Sequence, residues 1–230
     1  MVLAGKPLIT YSILQALASK RINRVIVSTD DEEIAKVAKD SGAEVPFIRP
    51  SEYAQDDSPD IEVFRHTLTW LHQHEHYSPD LVVHLRPPGP VRRVERIDEA
   101  IDLLVDHPEA DAVRSVTLAR QTPYKMWHLT PDGHMTPALR LAGVSDGQSL
   151  PRQSLPVVYW QNGYVDVIRP RAIMEKNSMW GECVLPYIVN DQLFEVDYLD
   201  DIPVVEKALR RLEHGEDLEP ADTLLPRHPV

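Results

Sequence analysis

The sequence predicts an α/β layer fold with a largely parallel sheet, on three observations. Short apolar runs, at 24–28, 44–48, 81–85 and 112–116, alternate with stretches of helical period. The helical stretches carry start and stop signals, with acids or proline at their openings and glycine after one of them. Finally, 230 residues of which 43% are hydrophobic can bury one sizeable core.

The elements follow in order. Pro7 opens a first helix, with Leu8, Tyr11, Ile13, Leu14 and Leu17 as its expected buried stripe. Arg24–Ser28 (RVIVS) reads as a short buried strand, after which Asp30 or Asp31 caps the helix DEEIAKVAKDSG, with Gly42 just past its end. Glu44–Ile48 (EVPFI) is a shorter strand, stopped by Arg49-Pro50. A polar loop, Ser51–Pro59, leads into a helix from Asp60 to His74. Leu81–Leu85 (LVVHL) is the clearest buried strand, and it runs into Arg86-Pro87-Pro88-Gly89-Pro90, where no regular element continues. A helix at Val94–Asp106 and a strand at Ala112–Val116 follow. Residues 120–190 are richer in aromatics and prolines, and the extended run Val157–Ile168 (VVYWQNGYVDVI) reads as part of an antiparallel insertion, an oligomer-forming lobe. A last helix, Asp201–His214, has Pro203 in its first turn, and a proline-rich tail at 215–230 is expected to be loosely held. Residues 1–214 thus read as one domain.

Composition excludes several function classes. The net charge of −12 argues against a nucleic-acid-coating surface, although a local basic cluster or a divalent cation could still hold an anionic small molecule. A single cysteine, Cys183, rules out an internal disulfide framework and suits a reducing cytoplasm. The apolar stretch after Lys6 is broken by Thr10, Tyr11, Ser12 and Gln15, which fits an amphipathic helix rather than a signal peptide. No apolar run approaches the ~20 residues needed to span a bilayer.

Seven segments, in order, resemble the acylneuraminate (CMP-sialic acid) cytidylyltransferases: LAGKPLITYSI at 3–13, VIVSTDDEEIA at 25–35, GAEVPFIRPSEYAQDDSPD at 42–60, LRPPGPVR at 85–92, PYKMW at 123–127, PRQSLPVVYWQNGYVDVI at 151–168 and FEVDYLDDI at 194–202. The LRP variant and the NGYVDVI ending are most similar to the bacterial branch acting on legionaminic-acid-type sugars. The resemblance implies transfer of a cytidylyl group from CTP to the anomeric hydroxyl of a nine-carbon 2-keto sugar acid, with Mg²⁺ and release of pyrophosphate. It also implies a three-layer, Rossmann-like nucleotidyltransferase fold with a small antiparallel lobe, at about 120–190, that builds a homodimer. A cytidylyltransferase for an eight-carbon acid such as Kdo is the neighbouring alternative.

On this resemblance each candidate residue acquires a role. Glu195 and Asp197 are separated by one residue after an apolar stretch, so both carboxylates fall on one face of an extended segment. Two oxygen ligands on one face suit Mg²⁺, which completes its shell with water and phosphate. The family has Asp-x-Asp here, so Glu195 departs by one methylene, and the pair is expected to be both metal-binding and catalytic. Asp201 reads instead as a helix N-cap. Arg86 ends the clearest strand, where ligands bind in open α/β sheets, and its guanidinium can grip a sugar carboxylate. The usual family residue there is Gln, and Pro88 and Gly89 stand where the family has Thr and Ser. Arg49, Asp56, Ser58 and Asp60 match positions around the nucleotide. Lys125, Arg152, Asn162 and Trp180 match positions around the sugar, Lys125 as a residue supplied to a partner subunit. His72 and His76 share a helical face, but without a third ligand nearby a solvated helix end accounts for them.

Family members open with a strand and a basic, glycine-containing loop that embraces the triphosphate, and Met1–Lys6 matches the residues just after that loop. Two expectations follow: an enzyme whose sequence extends upstream of Met1, or a catalytically weak homologue that dimerises and binds ligand.

Overall fold

A computed structural model describes residues 1–216 and 218; the remainder of the expected tail, at 217 and 219–230, lies outside the described residues. The chain opens with a two-residue hairpin, β1 (Val2–Leu3) and β2 (Lys6–Pro7), turned by Ala4 and Gly5 at φ of 44° and 82°. Both values are left-handed, as a tight hairpin turn requires. Helix α1 (Leu8–Ala18) follows directly, with Pro7 as its N-cap.

The inward face of α1 differs from the one expected. Thr10, Tyr11, Ser12, Ile13 and Ala16 are buried, whereas Leu14 and Leu17 are exposed. The cause is polar: buried Arg92 takes Ser12 Oγ as an acceptor at 3.1 Å, and Thr10 Oγ1 bonds the Ser41 hydroxyl at 3.0 Å. A buried guanidinium needs acceptors more than the helix needs a wider apolar stripe.

Helix α2 (Glu32–Asp40) forms where its signals place it. Asp31 Oδ1 accepts the Ile34 amide at 2.8 Å, Glu32 and Glu33 sit on the positive helix end, and Gly42 leaves at φ 96°. The flanking segments 24–28 and 44–48 do not become full strands. They share one parallel bridge, Ile26 with Glu44, closed by Glu44 N to Val25 O and Val27 N to Glu44 O. The next donor of a parallel ladder would be the amide of residue 46, and Pro46 has none. Val25, Val27 and Val45 still pack with Ile13, Ala38 and Ala43.

The main sheet has four strands in the order β3 (Val82–His84), β7 (Tyr159–Ile168), β4 (Ala112–Leu118), β8 (Val184–Ile188). It is mixed: β7 runs antiparallel to β3 and β4, and β4 runs parallel to β8. The run 157–168 is therefore not confined to a projecting insertion; its second half is an inner strand of the sheet. LVVHL, expected to be fully buried, is half-buried, because β3 pairs with β7 alone and stands at the edge of the described sheet.

Helix α4 (Val94–Asp106) covers one face, burying Ile97, Ala100, Ile101 and Leu104 against Val113, Val165 and Val167. Helices α3 (Asp60–Glu75) and α5 (Pro170–Met174) cover the other, where Leu68, Ala172 and Ile173 meet Ala112 and Ile168. The α/β layering predicted from sequence is thus present, but the sheet is not largely parallel as expected: two of its three described pairings are antiparallel, because β7 runs against both of its neighbours. Helix α6 (Ile202–Glu213) packs Val205, Ala208 and Leu209 on Leu3, Tyr11, Val91 and Val196. A small antiparallel hairpin, β5 (Trp127–Leu129) with β6 (Met135–Pro137), stands apart from the main sheet.

Candidate active site

Three irregular segments meet at one end of the sheet. The first is the turn after β3, where Pro87, Pro88 and Pro90 remove backbone donors and end the ladder. The second is a bulge in β7. Its register to β4 slips between Arg114 and Val116, whose partners are Asp166 and Gln161, and Gly163 sits there at φ 64°. Bulges of this kind re-aim side chains beside binding sites. The third is the stretch 193–197 before α6. The turn, the bulge and this stretch enclose a cavity of about 10 Å³ lined by Gly89, Arg92, Asn162, Gly163, Tyr164 and Glu195, among others.

Segment 195–197 was expected to be a strand end. It forms no ladder and bends at Asp197, and Val196 N to Pro88 O, 2.8 Å, ties it to the turn. Its neighbour is the proline-rich turn, which offers a carbonyl there but few amides. Val196 is buried, Glu195 half-buried and Asp197 exposed. Burial first, and the Asp197 charge second, raise the Glu195 carboxyl above its ordinary pKa, while Arg92 and Arg86 pull it down. Glu195 therefore lies within electrostatic reach of Asp197 and Arg86 at once. A Cβ added to Gly163 would stand 3.3 Å from Glu195 Oε1 and 3.6 Å from Arg86 Cδ, so only a glycine-sized gap separates the acid from the arginine stem.

The donor set fits Mg²⁺. Two carboxylates lie close enough for one to raise the pKa of the other. Among the described residues no group of three or more His, Cys, Asp or Glu is placed to hold a metal. A Mg²⁺ that takes one or two carboxylates and finishes its shell with substrate phosphates needs no more. His72 and His76 join no such group: His72 Nδ1 pairs with Ser78 Oγ, and His76 caps α3 in a left-handed conformation. Asp201 does not cap α6 with its side chain; its Oδ2 accepts the amides of Asp197 (3.0 Å) and Tyr198 (2.7 Å), which fixes the backbone that carries the acid.

Arg86 is more engaged than its sequence position implies. Its Nη1 donates to Asp166 Oδ2 at 2.9 Å and its Nη2 to Asp60 Oδ2 at 3.3 Å. Asp60, expected beside the nucleotide, thus faces the arginine expected to hold the sugar. Asp166 is fully buried and also accepts from Arg114 Nη2 at 3.3 Å, and the Arg114 guanidinium lies 5.0 Å from the Trp180 ring centre. Trp180, Arg114, Asp166, Arg86 and Asp60 therefore form one connected wall. His84, across from Asp166 on β3, is pushed down to about 4 by burial and then by Arg86, so it is neutral at pH 7.

Beneath the wall, Arg92 is 2% exposed. It donates to the Tyr164 carbonyl, the Arg86 carbonyl and Ser12 Oγ, which locks bulge, turn and α1 together. Burial lowers its pKa to about 10, which still leaves it charged at pH 7. Asn162 is buried as well, with Oδ1 accepting the Tyr164 amide at 3.1 Å and Nδ2 without a partner among the described residues.

The other expected residues lie apart from this wall. Arg49 pairs with Asp30 at 3.5 Å, Asp56 is exposed, and Ser58 Oγ accepts the Gln55 amide within its own loop. Arg152 donates to the Ala119 carbonyl at 3.1 Å, and Lys125 is exposed at the base of the β5–β6 hairpin.

Sequence reasoning missed Arg92, Asp166, Arg114 and Gly163. A signal for two of them was present. AVRSV and YVDVI each place one charge inside an apolar strand, and two such opposite charges must find each other when the strands pair.

A family model described as cytidylyltransferase matches residues 1–124. Post-translational flagellin modification protein B of Campylobacter coli is 28% identical over 200 residues, which is 86% of this chain and 82% of that protein. CMP-N,N'-diacetyllegionaminic acid synthase of Legionella pneumophila is 29% identical over 210 residues, 90% of this chain and 87% of the other. Among solved structures, CMP:2-keto-3-deoxy-manno-octonic acid synthetase complexed with CTP aligns with a TM-score of 0.62 at 13% identity, covering 94% of this chain and 90% of that one, which is a likeness of fold.

Proposed function

The chain belongs to the cytidylyltransferase family, and on that premise we propose that it activates a nine-carbon, sialic- or legionaminic-type 2-keto sugar acid with CTP. In this reaction the anomeric hydroxyl oxygen of the sugar bonds to the α-phosphorus of CTP, the bond to pyrophosphate breaks, and the hydroxyl proton is lost. The products are a CMP-sugar and pyrophosphate. One observation supports the reading: Glu195 and the cationic Arg86 both stand against the Gly163 bulge, and the Asp197 charge acts on Glu195, so an acid for a cation and a group for an anion share one crevice end. Relatives of matching length, named for CMP-nonulosonic acid synthesis, supply the substrate class.

Glu195 and Asp197 would hold Mg²⁺, which when bound supplies a positive charge to the phosphate oxygens. Arg86 and Trp180 line the sugar side. Of the other expected sugar residues, Asn162 shapes the bulge that carries Gly163, and Lys125, apart from this wall in its own chain, would be supplied to the site of a partner subunit. Arg49, Asp56 and Ser58 serve the nucleotide. We place the reaction in the cytoplasm, consistent with a lone, exposed and unpaired Cys183, and no described helix is long and apolar enough to cross a membrane.

We also propose a homodimer through the β5–β6 lobe. Trp127, Leu129 and Met135 are exposed on this hairpin, large apolar side chains that a second copy would cover, and Tyr159 and Trp160 are exposed at the start of β7. The test of function is product analysis: CTP and Mg²⁺ with N-acetylneuraminic acid, a legionaminic acid and Kdo in parallel. A CMP-nonulosonate is the expected product, and CMP-Kdo alone would refute the nine-carbon assignment.

A further inference from the structure

The wall around Arg86 is electrically complete before any substrate arrives. Two guanidinium groups, Arg86 and Arg114, face two carboxylates, Asp166 and Asp60. Arg92, charged beneath the wall, offsets half-buried Glu195, so a sugar carboxylate added to that set would still bring a surplus negative charge. It can be accommodated only if one of the resident acids leaves.

The two acids differ in how firmly they are held. The Asp166 side chain is 0% exposed, lies on an inner strand and is shared by both arginines, so its departure would strand two cations. The Asp60 side chain is 54% exposed, makes the longer contact with Arg86 at 3.3 Å, and is the first residue of α3. Turned to solvent, it keeps water and the positive end of its own helix as partners. We propose that Asp60 is a resident stand-in for the substrate carboxylate, a residue that sets affinity by occupying Arg86 Nη2 until an incoming carboxylate replaces it. With Asp60 swung out, the set keeps one net positive charge, matched to one carboxylate, while Asp166 goes on aiming the guanidinium.

This role rests on the sugar-acid reading above for its biological substrate, but the exchange itself concerns any small carboxylate. It also gives Asp60 a task distinct from nucleotide binding. An exposed ion pair of this kind is worth a factor of about two to five in an equilibrium constant, so freeing Arg86 from Asp60 raises carboxylate affinity by that factor.

The experiment is a titration with pyruvate, a small 2-keto acid, followed by NMR in the parent, Asp60→Asn and Arg86→Ala. Affinity should rise about two- to fivefold in Asp60→Asn and vanish in Arg86→Ala. Equal or weaker binding in Asp60→Asn, or binding that survives Arg86→Ala, would overturn the proposal. Steady-state kinetics with CTP and N-acetylneuraminic acid give a second reading: the KM for the sugar acid falls in Asp60→Asn while the KM for CTP holds. A raised KM for CTP would return Asp60 to the nucleotide side and defeat the proposal. If pyruvate behaves as expected but no nonulosonic acid is turned over, the exchange stands and the substrate assignment fails.

Discussion

Gly163→Ala puts the convergence of acid and arginine under direct test. The residue lies at φ 64°, where an L side chain costs about 1–2 kcal/mol. For a chain of this size that predicts a Tm loss of roughly 2–8 °C. The new methyl would also stand 3.3 Å from Glu195 Oε1 and 3.6 Å from Arg86 Cδ. Neither contact forbids folding, since both belong to side chains that can retreat, but the retreat moves the acid away from its aim. A displacement near an ångström at a reacting centre costs on the order of 100-fold in rate. The assay pairs thermal unfolding with pyrophosphate release at saturating CTP. Activity should fall by about 10- to 100-fold while the chain remains folded at 25 °C. A variant with the expected Tm loss and the parent's rate would show that Glu195 and Arg86 do not flank the reaction.

Other outcomes follow from the same geometry. Gly181→Ala would bring a methyl to 2.4 Å from the Cβ of Asp111, at a φ of 70°, where fully buried Asp111 clamps Arg171, Lys176 and the amides of Glu182 and Cys183. Its Tm loss should exceed that of Gly163→Ala, and an equal or smaller loss contradicts the clamp. Glu195→Gln should raise the Tm at pH 7 while lowering activity. Burial raises the Glu195 pKa in the fold, so the folded chain binds its proton at a pH where the unfolded chain has lost it, and stability drops as pH climbs from about 4.3 through the folded value. Gln removes that penalty, so its advantage should be present at pH 7 and shrink near pH 4; thermal unfolding at both pH values checks it, and a lower Tm at pH 7 refutes it.

Local signals in the sequence carried most of the helices. Asp31 and Gly42 delimit α2, and α4 spans the same residues, Val94–Asp106, that its period predicts. Strand pairing was less legible because it depends on partners distant in sequence. Pro46 removes one amide and reduces two expected strands to a bridge, an effect visible only once Glu44 is known to lie beside Val25 and Val27. The motif NGYVDVI pointed to a family branch and, through Asn162, to the sugar, but not to its place as an inner strand, nor to a bulge at Gly163. Arg86 and the Glu195–Asp197 pair were legible as chemistry at the ends of apolar runs. Asp166 left a signal, one charge inside an apolar run, but its pairing with Arg114 depends on two strands meeting; Arg92 left none, because its acceptors are two backbone carbonyls and a serine hydroxyl rather than an opposite charge.

Pyrophosphate release from CTP, compared between the parent and Asp197→Asn with a nonulosonic acid and Mg²⁺ present, goes furthest toward the proposed chemistry. Loss of a carboxylate that holds the cation should cut the rate at least ~100-fold, with the fold intact because Asp197 is exposed. Equal rates in the two proteins would mean that the phosphates react elsewhere.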